Sequence, residues 1–129
     1  MKNIKDKILY SFLLFLFVVV DQASKHFFSG GLNEFRNYVF AFSLPLPLVL
    51  IYIIYIFLLA LLVAWFYRKQ NKTWQTKLGF ILILAGAISN IGERIYFGYV
   101  RDFIHLFNGV FNLADFIIIA GILFLIFEN

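Results

Sequence analysis

The chain has 129 residues, of which 63% are hydrophobic and 14% charged, with 18 Phe and a net charge of +4. Soluble domains average about 45–50% apolar and about 25% charged residues, so this composition excludes an ordinary soluble domain and marks a membrane protein one domain long, 1–129. It has no cysteine, which excludes disulfides, thiolate catalysis and Cys-bound metals, and its basic residues are split among loops rather than gathered into a nucleic-acid-binding stripe.

The first apolar segment, ILYSFLLFLFVVV, runs from Ile8 to Val20 and extends through the polar DQASK to Phe28. Asp21 and Lys25 stand four residues apart, on one helix face. KNIKDK followed by 13 apolar residues also fits the first two regions of a secretory signal peptide, but VVDQA is not an A-x-A-like cleavage site, so the segment is expected to stay as a span. The second segment, Leu48 to Tyr67, has no charge and is long enough to cross about 30 Å of hydrocarbon at 1.5 Å per residue. Pro45 and Pro47, in SLPLP, precede it, where proline suits a first turn.

The third segment runs from Leu78 to about Ile91 and continues as AGAISNIGER. Gly86, Ala87 and Ser89 permit close helix approach there, and Asn90 and Arg94 share a face. The fourth runs from Phe111 to Phe127 and opens on FNLAD, which places Asn112 and Asp115 three apart on one face. These two segments are short unless Asn90, Glu93 and Asp115 lie at membrane depth, which polar groups do only where they face protein or a wet cavity. Between them YVRDFIHLFNG supplies Asp102.

Lys2, Lys5 and Lys7, together with Arg68, Lys69, Lys72 and Lys77, assign the N-terminus and the loop between segments two and three to the cytoplasm. The expected fold is therefore an all-α integral membrane protein with four transmembrane helices, both termini inside, and a reduced extracellular segment after the first helix. The polar residues then gather at the outer ends of the helices. Taken singly, each has an ordinary reading. Asp21 with Lys25 makes a helix-end ion pair at headgroup level, and Asn90 and Asn112 make interhelical hydrogen bonds. Asp102 is a solvated loop charge, and Asp115 sits at a helix N-terminus favoured by the dipole. His105 is an interfacial side chain. The only other histidine is His26, and neither has metal-site spacing, so no metal and no cofactor is expected.

Together they place two carboxylates, two amides and an Arg at one membrane face. Like charges a few Å apart in a partly desolvated site share a proton. The ionised member takes a proton from an attacking water, while the protonated member polarises an amide carbonyl and helps protonate the leaving nitrogen. Asp102 and Asp115 are the pair this aspartic-protease chemistry needs.

DQASK (21–25), NYVFAFS (37–43), AGAISNIGER (85–94), VRDF (100–103) and FNLAD (111–115) resemble, in order and placement, the motifs of lipoprotein signal peptidase, also called signal peptidase II. The resemblance spans nearly the whole chain. It implies that Asp102 and Asp115 are the catalytic pair and that Asn90, Arg94 and Asn112 hold substrate and shape the site. Asp21, Lys25 and Asn37 match polar substrate-side positions at the outer end of the first helix and in the segment after it. The implied substrate is a prolipoprotein whose lipobox cysteine carries a diacylglyceryl group. Cleavage is implied just before that cysteine, by a monomer among membrane lipids, at the outer face of the bacterial inner membrane. Glu93 stands where the family usually has Asp, and is expected to be a buried counter-charge for Arg94. Val39 and Ser89 replace glycines. Only SGGLNEF and HLFNGV remain where the family has an extracellular β-platform and a loop or short helix over the site. Two other readings stay open: a proton-coupled four-helix transporter, which would want an acidic residue mid-span, and a non-catalytic membrane scaffold.

Overall fold

The computed structural model describes residues 3–30, 34–38 and 47–128, except for the side chain of Leu48. Pro45 and Val39 lie outside the described residues. The described chain is mostly helical, with α1 at Ile4–Phe28, α2 at Leu48–Arg68, α3 at Trp74–Phe97 and α4 at Leu113–Ile126. Each start has a local cause. Asn3 accepts from the Lys5 amide and Thr73 from the Thr76 amide, while Pro47 precedes α2 with φ already near −60°. Gly98 ends α3 in the left-handed region at φ 80°, which a residue with a Cβ rarely adopts.

Three helices, α1, α2 and α3, are long and apolar enough to cross a membrane. The fourth is shorter than expected. At 14 residues it spans about 21 Å, against about 30 Å of hydrocarbon. The outward faces of α1 and α2 carry exposed Phe, Leu and Ile, including Phe12, Phe15, Ile53, Phe57 and Leu61, as lipid-facing helices do. α3 is mostly buried and packs against α1, α2 and α4.

Small residues set the closest approach in the bundle. A Cβ on Gly86 would lie 2.6 Å from Ile118 Cγ1 and 2.7 Å from the Ala114 carbonyl oxygen, and one on Gly79 would lie 2.8 Å from the Gly121 oxygen. α3 and α4 therefore meet backbone to backbone, and the N-terminus of α4 is held against the C-terminal half of α3. At the other end, Phe66 of α2 stacks on Phe80 of α3 at 4.0 Å between centroids, over Tyr10 and Ile81.

The segments between α1 and α2 and between α3 and α4 hold strands rather than only loop or helix. β1 (Phe35–Asn37) pairs antiparallel with β2 (Val100–Asp102), with Phe35 opposite Asp102 and Asn37 opposite Val100. β3 (Ile104–Leu106) and β4 (Gly109–Phe111) form a hairpin with a two-residue turn at Phe107 and Asn108. HLFNGV is thus a hairpin in this chain, and the described residues 34–38 between α1 and α2 contain a strand laid on β2.

Candidate active site

Asp102 ends β2, and Asn112 and Asp115 open α4, so the two carboxylates arrive from opposite ends of the β3–β4 hairpin. Asn112 joins them. Its Nδ2 donates to Asp102 Oδ1 at 2.7 Å, and its backbone N–H donates to Asp115 Oδ2 at 3.1 Å. Its Oδ1 in turn accepts from the Asp115 amide at 3.1 Å, which completes a capping box. Because that oxygen is taken by the cap, the amide nitrogen is the group that faces Asp102. The FNLAD spacing therefore serves the helix start and the carboxylate pair at once.

The outer carboxylate oxygens have their own donors. Asn37 Nδ2 reaches Asp102 Oδ2 at 2.9 Å, and Asn90 Nδ2 reaches Asp115 Oδ1 at 3.1 Å. The Asn90 oxygen accepts from Lys25 Nζ at 2.9 Å, which fixes which end of that amide faces Asp115. All four carboxylate oxygens thus accept one hydrogen bond each from a positioned asparagine. Asp102 is 1% exposed. Burial, more than any other cause, pushes its carboxyl up to about 6, and the negative charge of Asp115 acts in the same direction against the Asn37 and Asn112 amides and Lys25.

These groups line a cavity of about 420 Å³. Its polar wall holds Asn37, Asn90, Arg94, Asp102, Asn112 and Asp115, and its apolar wall includes Ile118, Ile119 and Ile122 of α4. Arg94 Nη1 donates to the Asn37 carbonyl at 3.4 Å, which ties α3 to β1. Among the described residues no group of three or more His, Asp or Glu converges to hold a metal ion.

Asp21 and Lys25 are placed differently from the sequence expectation. Both are completely enclosed and neither lines the cavity, so they sit beneath it rather than on its wall. The i,i+4 ion pair between them forms at 2.7 Å, and both members have further partners. Asp21 Oδ1 accepts from the Ala114 backbone N–H at 2.7 Å, which satisfies a helix N-terminal donor of α4 from α1. Lys25 spends its three donors on Asp21 at 2.7 Å, Asn90 at 2.9 Å and Glu93 at 3.3 Å.

The expected pairing of Glu93 with Arg94 is also corrected. Glu93 binds Lys25 and, on its other side, Arg101: the Arg101 Nη2 lies at 2.6 Å, Nε at 2.7 Å and the backbone N–H at 3.0 Å. Adjacent residues on a helix do not face each other, so Glu93 looks toward α1 and β2 while Arg94 looks into the cavity. Ser89 donates to Asp21 at 2.5 Å and accepts from Gln22 at 2.8 Å, and Gln22 accepts from Arg101 at 3.2 Å. A closed ring of Asp21, Ser89, Gln22, Arg101, Glu93 and Lys25 therefore underlies the carboxylates. Sequence reasoning missed Gln22, Arg101 and the two α2 tyrosines, Tyr52 and Tyr55. The available signal was two tyrosines three apart on a helix that has no other polar side chain in its N-terminal half.

Asp102, which is buried, and Asp115, which is partly exposed, thus form a carboxylate pair on the cavity of a helical bundle in which three helices are long and apolar enough to cross a membrane. The model of the family described as Signal peptidase (SPase) II matches residues 13–129, and the chain belongs to that family. It is similar to lipoprotein signal peptidases of Allorhizobium ampelinum (41% identity over 78 residues, 55% of this chain and 47% of that one) and Pseudoalteromonas translucida (42% over 73 residues, 53% and 44%). The chain thus spans about half the length of the curated relatives it matches. A structure titled as a bacterial membrane enzyme solved by the in meso method at 1.9 Å shares the fold, with TM-score 0.77 and 24% identity over 95% of this chain and 91% of that one.

Proposed function

We propose that the protein is an aspartic endopeptidase that removes signal peptides from diacylglyceryl-modified prolipoproteins by cleaving before the lipidated cysteine. The observation that carries this reading is the single constellation in which Asn112 bridges Asp102 and Asp115 on the wall of a largely apolar cavity. In this mechanism the pair holds one proton. The ionised carboxylate takes a proton from the attacking water, the protonated one polarises the scissile carbonyl, and the proton then passes to the leaving nitrogen. The raised carboxyl of Asp102 supports a pair that holds a proton more readily than ordinary carboxylates do. Asn37, Asn90 and Asn112 hold the pair in register, and Arg94 binds the peptide backbone. Asp21 and Lys25 act from below, as supports for Asn90 and the α4 N-terminus, rather than by touching substrate.

In the same reading residues 1–129 form one monomeric domain in the bacterial inner membrane, with four crossings, both termini cytoplasmic and the site at the outer face. The shortness of α4 supports a recessed site, since its N-terminus then begins below the headgroups. Ile118, Ile119 and Ile122 offer acyl chains an apolar wall, and each buried CH₂ contributes about 0.8 kcal/mol. The test is cleavage of a diacylglyceryl-modified precursor and of the same precursor without lipid by the purified protein. Strong preference for the lipidated form is expected. Equal turnover of the two would refute the lipoprotein assignment, and no turnover of either would refute the peptidase.

A further inference from the structure

α2 carries no charge until Arg68, and in its outer half the only polar side chains are Tyr52 and Tyr55. Three residues apart, they share a face, and both reach the same residue of α3. The Tyr52 hydroxyl donates to the Arg94 backbone oxygen at 2.9 Å. Tyr55 hydrogen-bonds the Arg94 side chain, whose guanidinium carbon lies 5.9 Å from the Tyr55 ring centroid. Tyr55 itself lines the cavity with both aspartates. The guanidinium is thus gripped from two sides, by Tyr55 and by the Asn37 carbonyl, and Asn37 is also a donor to Asp102.

We propose that Tyr55 is a positioning residue that fixes the Arg94 guanidinium on the cavity wall for binding the backbone of an extended peptide, while Tyr52 only fastens α2 to α3. This rests on the peptidase reading above. A long side chain at a cavity wall loses binding energy when it must be ordered by the substrate, and a pre-formed contact removes that loss. The plainer alternative makes both tyrosines equal helix–helix fasteners. The two differ in which kinetic parameter moves, and in whether Tyr55 matters once Arg94 has been changed.

The experiment compares Tyr55→Phe, Tyr52→Phe, Arg94→Lys and the Tyr55→Phe/Arg94→Lys double variant, each with kcat, KM and thermal stability measured on a diacylglyceryl-modified peptide. Tyr55→Phe should raise KM about tenfold with kcat within about twofold, the pattern of lost ground-state binding. Tyr52→Phe should lower thermal stability and leave KM unchanged. In the Arg94→Lys background Tyr55→Phe should add less than about twofold, because the two residues act as one unit. An unchanged KM in Tyr55→Phe, or the same factor in both backgrounds, overturns the proposal; if Arg94→Lys does not fold, equal behaviour of the two tyrosine variants does so. Peptide affinity is also measured in an Asp102→Asn background, so that Tyr55 is tested without turnover. A wild type that binds in a Tyr55-dependent way but does not cleave would sink the peptidase reading alone, and absence of binding would sink both.

Discussion

Replacing Asp102 with Asn changes a carboxylate for a near-isostere that cannot ionise. In the folded protein the Asp102 carboxyl sits at about 6 against an ordinary 3.8, chiefly because it is buried. A carboxyl raised on folding binds its proton more tightly in the native state, so the wild type is most stable below the ordinary value. Stability then falls as pH rises from about 4 to about 6 and stays level above, a total loss of about 3 kcal/mol. Asn at this site resembles the protonated acid. Each has one oxygen left to accept and one donor group turned toward an amide that also donates, Asn37 Nδ2 or Asn112 Nδ2. The variant and the wild type should therefore have similar stability near pH 4. By pH 7.5 the variant should be more stable by up to about 3 kcal/mol, because only the wild type must carry the buried charge. Thermal unfolding in detergent across that range measures the difference, and precursor cleavage measured in parallel should be abolished at every pH. Stability curves that run parallel from pH 4 to 7.5 would show that Asp102 titrates as an ordinary carboxyl and would refute the desolvated pair. Substantial cleavage by the variant would refute its catalytic role.

Glu93→Gln should lower stability by about 3 kcal/mol, since Lys25 and Arg101 lose the charge that lies between them; chemical denaturation of the folded fraction measures this, and a fully stable but inactive variant would instead place Glu93 in the catalytic set. Gly86→Ala should destabilise by about 1–3 kcal/mol and reduce cleavage, because its Cβ would push on the Ala114 oxygen and Ile118 at the start of α4. Gly92→Ala, where a Cβ meets nothing within 4 Å, should gain up to about 1 kcal/mol, and equal thermal midpoints for the two would refute the role given to close helix approach. Because the chain has no cysteine, Phe107→Cys at the exposed hairpin tip and Asn71→Cys in the α2–α3 loop give clean labelling sites. A membrane-impermeant thiol reagent on whole cells should label the first and spare the second, and the reverse pattern would invert the topology.

Composition and segment length by themselves determined that this is a bundle of apolar helices with its polar residues at the helix ends. Long runs without charge have few other ways to fold in lipid, since every backbone group must be satisfied within its own segment. The sequence also brought Asp102, Asp115, Asn90, Arg94 and Asn112 forward as a group, the family resemblance added Asn37 with Asp21 and Lys25, and the structure places all of these but Asp21 and Lys25 on one cavity. It did not reveal partners. Periodicity tells which face of a helix is polar, but the helix that lies opposite depends on how the bundle is assembled. Glu93 and Arg94 are neighbours in the chain and face different helices, so reading them as a pair failed for a geometric reason. Asp21 and Lys25 read as a helix-end ion pair or as substrate-side positions because nothing local says that the N-terminus of α4 rests on Asp21. The strands β1 to β4, at three residues each, are too short for alternation to register, and exist because β2 offers an edge to β1 and the Phe107–Asn108 turn closes β3 on β4. Tyr55 carried no charge to draw attention. Only the packing of α2 across the cavity from Asp115 turns an interfacial tyrosine into a neighbour of Arg94.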